Sequence, residues 1–402
     1  MSYFADYENL KKTISFEPQN IDLGDGLFVY NLDFVSQGSP SDPQGTLLGP
    51  GIPEAIKAQL PKEVNLDSLF VTPDNEIIEN KRFRYHLFRK GPKEDSSGLI
   101  ILLHGFNEKR WDKYLPWAKA LVERTSKSVL LFPIAFHMNR APEIWSETRP
   151  MHKVSQYRKK LFPNVLCSTL SNVAISFRMH QNPARFFWSG LESYLNLVSL
   201  VKSIRLGEIE AIKSDGPIDF FTYSIGTFLG QILLMTNQDN LFSNSLFVAF
   251  CGGPVFNRLF PVSKFILDSE ASVSLYSFLV EHLESHCRKD SHLNHYLTKS
   301  PEGCSFCAML NYRNNLKWRE DQFRLLAERI YALALTGDEV VTPYEAINTL
   351  QGSFREIKIK VDILDFPFPF RHEDPFPLSN KFEVQIDKCF NLVMDKTGGF
   401  LQ

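Results

Sequence analysis

A chain of 402 residues with 44% hydrophobic content can bury a large core, as one big domain or as one domain carrying an insertion. Its formal net charge of −2, with acidic and basic residues mixed along the chain, excludes the basic stripe of a nucleic-acid binder. The first residues lack a basic n-region followed by an apolar segment, and no apolar run is long enough to span a bilayer. The six cysteines are too sparse and irregular for a disulfide framework, so a soluble cytoplasmic protein is expected.

Residues 1–75 read as a loosely structured N-terminal extension, with turn signals at 36–45 and 49–53. From residue 76 onward the texture is that of a folded domain. Arg82-Phe83-Arg84-Tyr85-His86-Leu87-Phe88-Arg89 alternates apolar and basic residues, the period of a half-exposed edge strand. Residues 98–103 are continuously apolar, as a strand covered on both faces must be. A helix is expected over 113–124, with Leu115, Ala118, Leu121 and Val122 on one stripe, followed by a strand at 128–133. Trp188, Leu191, Leu195, Val198 and Val201 mark another amphipathic helix. Strands follow at 218–223, 245–250, 330–335 and 356–363, with helices at 318–329 and 381–394. This alternation predicts an α/β protein: a mostly parallel central sheet with helices on both faces. Residues 141–183 and 254–316 do not fit the alternation. The second, with a helix of its own at 273–286, reads as a cap over the carboxyl ends of the strands, where such folds bind ligands.

The chemistry concentrates at strand ends. Ile218-Asp219-Phe220-Phe221-Thr222-Tyr223 runs into Ser224-Ile225-Gly226 and then an apolar helix-forming segment. A serine on so sharp a strand-to-helix turn has its Oγ lifted clear of the sheet and a backbone N–H at a helix start, ready for a developing oxyanion. His104-Gly105-Phe106-Asn107 follows the strand at 98–103, where the glycine lets the backbone approach a substrate oxygen and makes the Phe106 N–H a candidate donor. Gly337-Asp338-Glu339-Val340-Val341-Thr342-Pro343 follows the strand at 330–335; Asp338 is the favoured acid there, with Glu339 and Asp365 as alternatives. His372 is the only histidine of the last hundred residues and stands on a Pro- and Phe-rich loop.

These four motifs, in the order His-Gly-Phe, serine elbow, Gly-Asp-Glu-Val-Val-x-Pro and histidine, resemble the α/β-hydrolase superfamily over about residues 75–402. The resemblance implies Ser224 as nucleophile, His372 as general base and acid, and Asp338 as its orienting partner. It implies an oxyanion hole made of the Phe106 and Ile225 N–H groups. The family usually places a small residue, most often glycine, two before the serine, where this chain has Thr222. The expected activity is a serine hydrolase cleaving an ester or similar acyl bond, with no metal or organic cofactor required and an apolar small-molecule substrate as partner. Peptidase, thioesterase and acyltransferase remain alternatives, as does a non-catalytic binding protein that keeps the fold.

Rival readings attach to several residues. Cys251, in Ala249-Phe250-Cys251-Gly252-Gly253, could be a second elbow, but Pro254 and the lack of a following helix favour a buried small hydrophobe. His282, His286, Cys304 and Cys307 could hold a structural zinc, although His282 shares a stripe with Leu275, Phe278 and Leu279, where a core histidine is commoner. His104 is expected to brace the oxyanion loop. His137, Asn139 and Arg140 line either a pocket mouth or an exposed loop. Phe370, beside His372, suits an apolar acyl group or the core equally.

Overall fold

A run of apolar residues forms a strand only where both of its faces are covered, and the centre of this molecule is built from such runs. The computed structural model describes residues 2–38, 40, 51–61 and 64–402. Of the expected turn signals, residues 39, 41–45 and 49–50 lie outside the described residues. The strands are β1 (Asn20–Asp22), β2 (Leu27–Val35), β3 (Arg82–Lys90), β4 (Leu99–Leu103), β5 (Ser128–Phe132), β6 (Ile218–Tyr223), β7 (Phe247–Phe250), β8 (Ile330–Leu335) and β9 (Lys360–Leu364). They join in one sheet of order β1-β2-β3-β5-β4-β6-β7-β8-β9. Pairings from β1 to β5 through β2 and β3 are antiparallel, and all pairings from β5 to β9 are parallel.

Side chains alternate across a strand, so each central strand feeds two cores. Leu99, Ile101, Leu103 and Phe220 join one apolar layer with the helices Arg185–Arg205 and Ile225–Thr236. Ile100, Leu102, Phe221 and Tyr223 join the other with Tyr3–Thr13, Tyr114–Thr125 and Glu383–Leu401. A mostly parallel sheet with helices on both faces and its order reversed around β4 is the α/β-hydrolase fold, lengthened here by β1 at one edge. Among the described residues no helix is long and apolar enough to cross a membrane.

Three expectations need correction. The N-terminal region is not loosely structured over residues 3–35: β2 pairs with β3 along nine residues, and the helix Tyr3–Thr13 packs against the last helix. Its residues Leu27, Val29 and Asn31 are buried at alternate positions, while the apolar Phe28, Tyr30 and Leu32 between them are half-buried. Consequently β3 is an interior strand between β2 and β5, buried from Tyr85 to Arg89, rather than a half-exposed edge. The helix expected at 273–286 breaks in two, because Ser277–Glu281 widens to a π-turn and His282 leaves helical geometry.

The two segments outside the alternation are helical and pack on each other, Ser269–Tyr276 lying against Val173–Gln181. Ile56, Leu69 and Phe70 from the N-terminal region join Trp145, Met151 and Phe177 in a separate small core. Buried ion pairs fasten these parts. Arg158 grips Asp268 through two nitrogens, and Arg140 pairs with Glu192 at 2.9 Å. Glu192 also accepts from Asn80 and Ser36, so its carboxylate is fully engaged. Removing one partner leaves an uncompensated buried charge, so Glu192→Ala is expected to lower stability by about 3–5 kcal/mol in urea denaturation.

Candidate active site

The serine elbow is made by close approach. Gly226 sits so near the end of β4 that a Cβ would stand 2.6 Å from the Leu103 carbonyl oxygen. With that contact allowed, β6 passes into the helix Ile225–Thr236 within one residue, and Ser224 takes φ 55° and ψ −120°. Thr222 fits where a smaller residue is usual because the neighbouring positions make room. Its Oγ1 donates to the Val248 carbonyl at 2.9 Å and meets Thr227 Oγ1 at 3.0 Å, while a Cβ on Gly230 would lie 3.2 Å from its methyl group.

The structure brings three of the expected residues into one hydrogen-bonded series. Ser224 Oγ lies 2.7 Å from His372 Nε2, and His372 Nδ1 lies 2.7 Å from Asp338 Oδ2. Asp338 follows β8 and His372 follows β9, so all three stand at the carboxyl edge of the sheet. The other Asp338 oxygen accepts the Val340 and Val341 N–H groups, both at 2.9 Å, which fixes the carboxylate plane. With Asp338 so engaged, neither Glu339 nor Asp365 is the residue facing His372. The His372 ring stacks on Tyr223 with centroids 5.5 Å apart, and the Tyr223 hydroxyl donates to the His372 carbonyl.

A second set of contacts stiffens the loop after β4. His104, wholly buried, bonds the Gly105 carbonyl through Nδ1 and accepts the Ile134 N–H at Nε2. Gly105 N–H donates to the Tyr114 hydroxyl, which donates in turn to Glu108. Lys113 joins Glu108 to the Glu373 carbonyl, tying this loop to the one that carries His372. Among the described residues the Phe106 and Ile225 N–H groups find no protein acceptor, which leaves both free for a ligand oxygen. These fastening residues escaped sequence reading, because Lys113, Glu108 and Tyr114 belong to an ordinary amphipathic stretch until the fold apposes them to His372.

A narrow apolar cavity of about 60 Å³ opens beside Phe106 and Ile225, walled by Phe186, Phe228 and Phe306, with His137 on its side. Phe228 lies one helical turn beyond Ser224, a signal the sequence does carry. Phe370 lines a separate, more polar cleft on the other side of His372, with Phe260, Pro261 and Glu373. Arg140 does not line the site: it is fully buried against Glu192 and the Phe83 ring, and His137 is buried as well, so this is no exposed loop. Cys251 is a buried thiol whose burial, with Asp338 nearby, pushes its pKa well up, the opposite of an activated nucleophile. Cys304 and Cys307 thiols face the Thr298 and Leu297 carbonyls, His286 stacks on Phe278, and among the described residues no group of three ligands is set to share a metal.

A family model described as a family of unknown function (DUF6051) matches residues 1–402. No curated protein matches the chain. Among solved structures, a carboxyl esterase from the fungus Tuber melanosporum is similar over 99% of this chain and 98% of its own, at 9% identity and a TM-score of 0.47. A thermostable esterase from Pseudomonas putida covers 100% of this chain and 91% of its own, at 8% identity and a TM-score of 0.43. A peroxisomal α/β-hydrolase from Saccharomyces cerevisiae covers 92% and 90%, at 13% identity and a TM-score of 0.39. The fold assignment rests on strand order and connectivity.

Burial sets a pH dependence. It lowers the His86 pKa to about 3 and the His137 pKa to about 4, and it holds His104 well below 6.5, helped by the neighbouring His137. In the unfolded chain each takes up a proton near 6.5, so below that pH the unfolded state binds more protons than the folded one. Stability is therefore complete above about pH 6.5 and falls on acidification, by up to about 1.4 kcal/mol per pH unit for each histidine. Thermal denaturation from about pH 7 to about pH 5 is expected to show this loss, and His86→Asn to reduce its slope.

Proposed function

The chain belongs to a family of unknown function (DUF6051), and from the site itself we propose that it is a serine hydrolase cleaving an ester or similar acyl bond. The observation that carries the reading is the Ser224–His372–Asp338 series, with both links at 2.7 Å and the serine on a left-handed turn at a helix start. His372 takes the Ser224 proton as Oγ attacks the substrate carbonyl, and Asp338 holds the imidazole so that Nε2 faces the serine. The Phe106 and Ile225 N–H groups hold the oxyanion. His372 then protonates the leaving alcohol, and a water activated by the same ring releases the acyl group from Ser224.

Two openings flank the reacting serine in this reading. The apolar cavity beside the proposed oxyanion donors takes the acyl chain. The polar cleft past His372 takes the leaving group. All six cysteines are unpaired, which supports a reducing, cytoplasmic setting.

A fluorophosphonate probe is expected to label the native protein and to leave Ser224→Ala unlabelled. Hydrolysis of a p-nitrophenyl ester is expected to fall by about 10⁴-fold in Asp338→Asn, because the imidazole is then held in the wrong tautomer, with Nε2 protonated and unable to take the serine proton. A native protein that resists the probe while hydrolysing no ester is not a serine hydrolase.

A further inference from the structure

The apolar cavity has a direction and a length. Ile225, Phe228, Leu229 and Ile232 line it from one helix, at the spacing of a single face. Phe186, Gly190 and Tyr194 line it from another, each one turn beyond the last. The two helices run side by side in the same direction: the Phe186 and Phe228 ring centroids are 6.3 Å apart, and the Tyr194 hydroxyl donates to Gln238 at 3.2 Å. From Ile225, whose N–H is one of the proposed oxyanion donors, to Ile232 the helix rises about 10 Å. The cavity therefore leads away from Ser224 as a bore of that depth.

Its width suits a single chain. The volume of about 60 Å³ is the room left to the centre of a water-sized sphere, so over that depth the bore is about 5–6 Å across. Rings set this width: Phe306, from the helix Pro301–Leu310, has its centroid 5.0 Å from that of Phe187 and 5.9 Å from that of Phe228. Methylene carbons need about 4 Å of contact distance, so one chain fits and two do not. The depth matches an extended chain of about eight carbons, because each bond of about 1.5 Å advances a zigzag by about 1.25 Å. The wall asks for no polar group midway, since the Ser189 hydroxyl donates to the Arg185 carbonyl at 2.7 Å.

Gly190 keeps the far half of the bore open. It lies inside the helix Arg185–Arg205, where glycine is less stable than alanine. Its backbone does not require glycine, because its φ is not positive. Packing does not require it either: beyond its own helix backbone and chain neighbours, a Cβ there would meet nothing within 4 Å among the described residues. Phe186 and Tyr194, one turn to either side on the same face, both line the cavity, so a side chain at 190 would project into it.

We propose that the bore takes a straight acyl chain of about six to ten carbons and that Gly190 is the specificity-determining residue that admits its distal half, so that the preferred substrates are medium-chain acyl esters. The proposal rests on the hydrolase reading for which end of the bore holds the ester carbonyl.

The test measures kcat/KM for p-nitrophenyl esters of straight chains of two to about twelve carbons, below their micellar concentrations. In the native protein it is expected to rise by about 100-fold from four carbons to eight and to gain nothing beyond about ten, since methylenes past Ile232 leave the wall. In Gly190→Leu the eight-to-four-carbon ratio is expected to fall to about one, whatever the absolute rate, and Gly190→Met, another good helix former, is expected to do the same. A native profile that is flat or falls with length overturns the proposal, as do folded variants that keep the native ratio. Should no ester be cleaved, the hydrolase reading fails and a binding measurement decides the inference on its own. Calorimetry is then expected to show N-methyloctanamide binding the native protein about tenfold or more tightly than N-methylbutanamide, a gap lost in Gly190→Leu. Equal binding of the two amides overturns it.

Discussion

Ser224 stands at φ 55° and ψ −120°, a conformation that costs a residue with a side chain about 1–3 kcal/mol and persists only where the surroundings over-determine it. Here the surroundings are the end of β4 and the start of one helix, brought together because Gly226 has no Cβ to hold them apart. The rest of the site depends on that approach. It sets the serine hydroxyl above the sheet edge, leaves the Ile225 N–H free at the helix start, and brings the loop after β4 close enough to offer the Phe106 N–H. A wider turn would separate the Ser224 hydroxyl from the Phe106 and Ile225 N–H groups.

Rigidity around this turn comes from groups that take no part in bond making. Tyr223 precedes the serine, stacks on His372 and donates to its carbonyl, so the strand that presents Ser224 also fixes the His372 ring. Lys113 and Glu108 join the loop after β4 to the loop after β9. The proposed catalysis by positioned dipoles needs donors that do not reorganise during reaction, and such fastening would hold the Phe106 and Ile225 N–H groups in place. Beyond the sheet, Arg140–Glu192 anchors the helix Arg185–Arg205, which lines the cavity, and Arg158–Asp268 ties the two helical segments outside the alternation to each other. Each of these buried charges has its counterion, and because desolvation offsets the attraction they act as geometric fasteners more than as sources of net stability.

Much of this was legible in the residues, for physical reasons that differ from place to place. The run 98–103 is apolar at every position because β4 is covered on both faces, so the sheet's centre announces itself. Ser224 and Asp338 were legible because each follows a wholly buried strand, at the edge where parallel strands deliver side chains to one crevice. His372 follows the part-exposed edge strand β9 and stood out instead as the only histidine of the last hundred residues. By contrast, β2 was overlooked because its alternation lies in a stretch whose outward residues are only partly exposed. Arg140 reads as a pocket residue by position alone; that it turns inward depends on Glu192, more than fifty residues away. Long-range pairings of that kind leave no local periodicity to detect.

The central claim is that Ser224 Oγ becomes covalently acylated by substrate. Acid quenching of native protein mixed with a p-nitrophenyl ester, followed by mass spectrometry of the digest, tests it directly. The account predicts a mass increase equal to the acyl group on the peptide containing Ser224, appearing with a burst of p-nitrophenol. Steady ester cleavage with no adduct under burst conditions, or an adduct on Cys251 or another residue in place of Ser224, would contradict it.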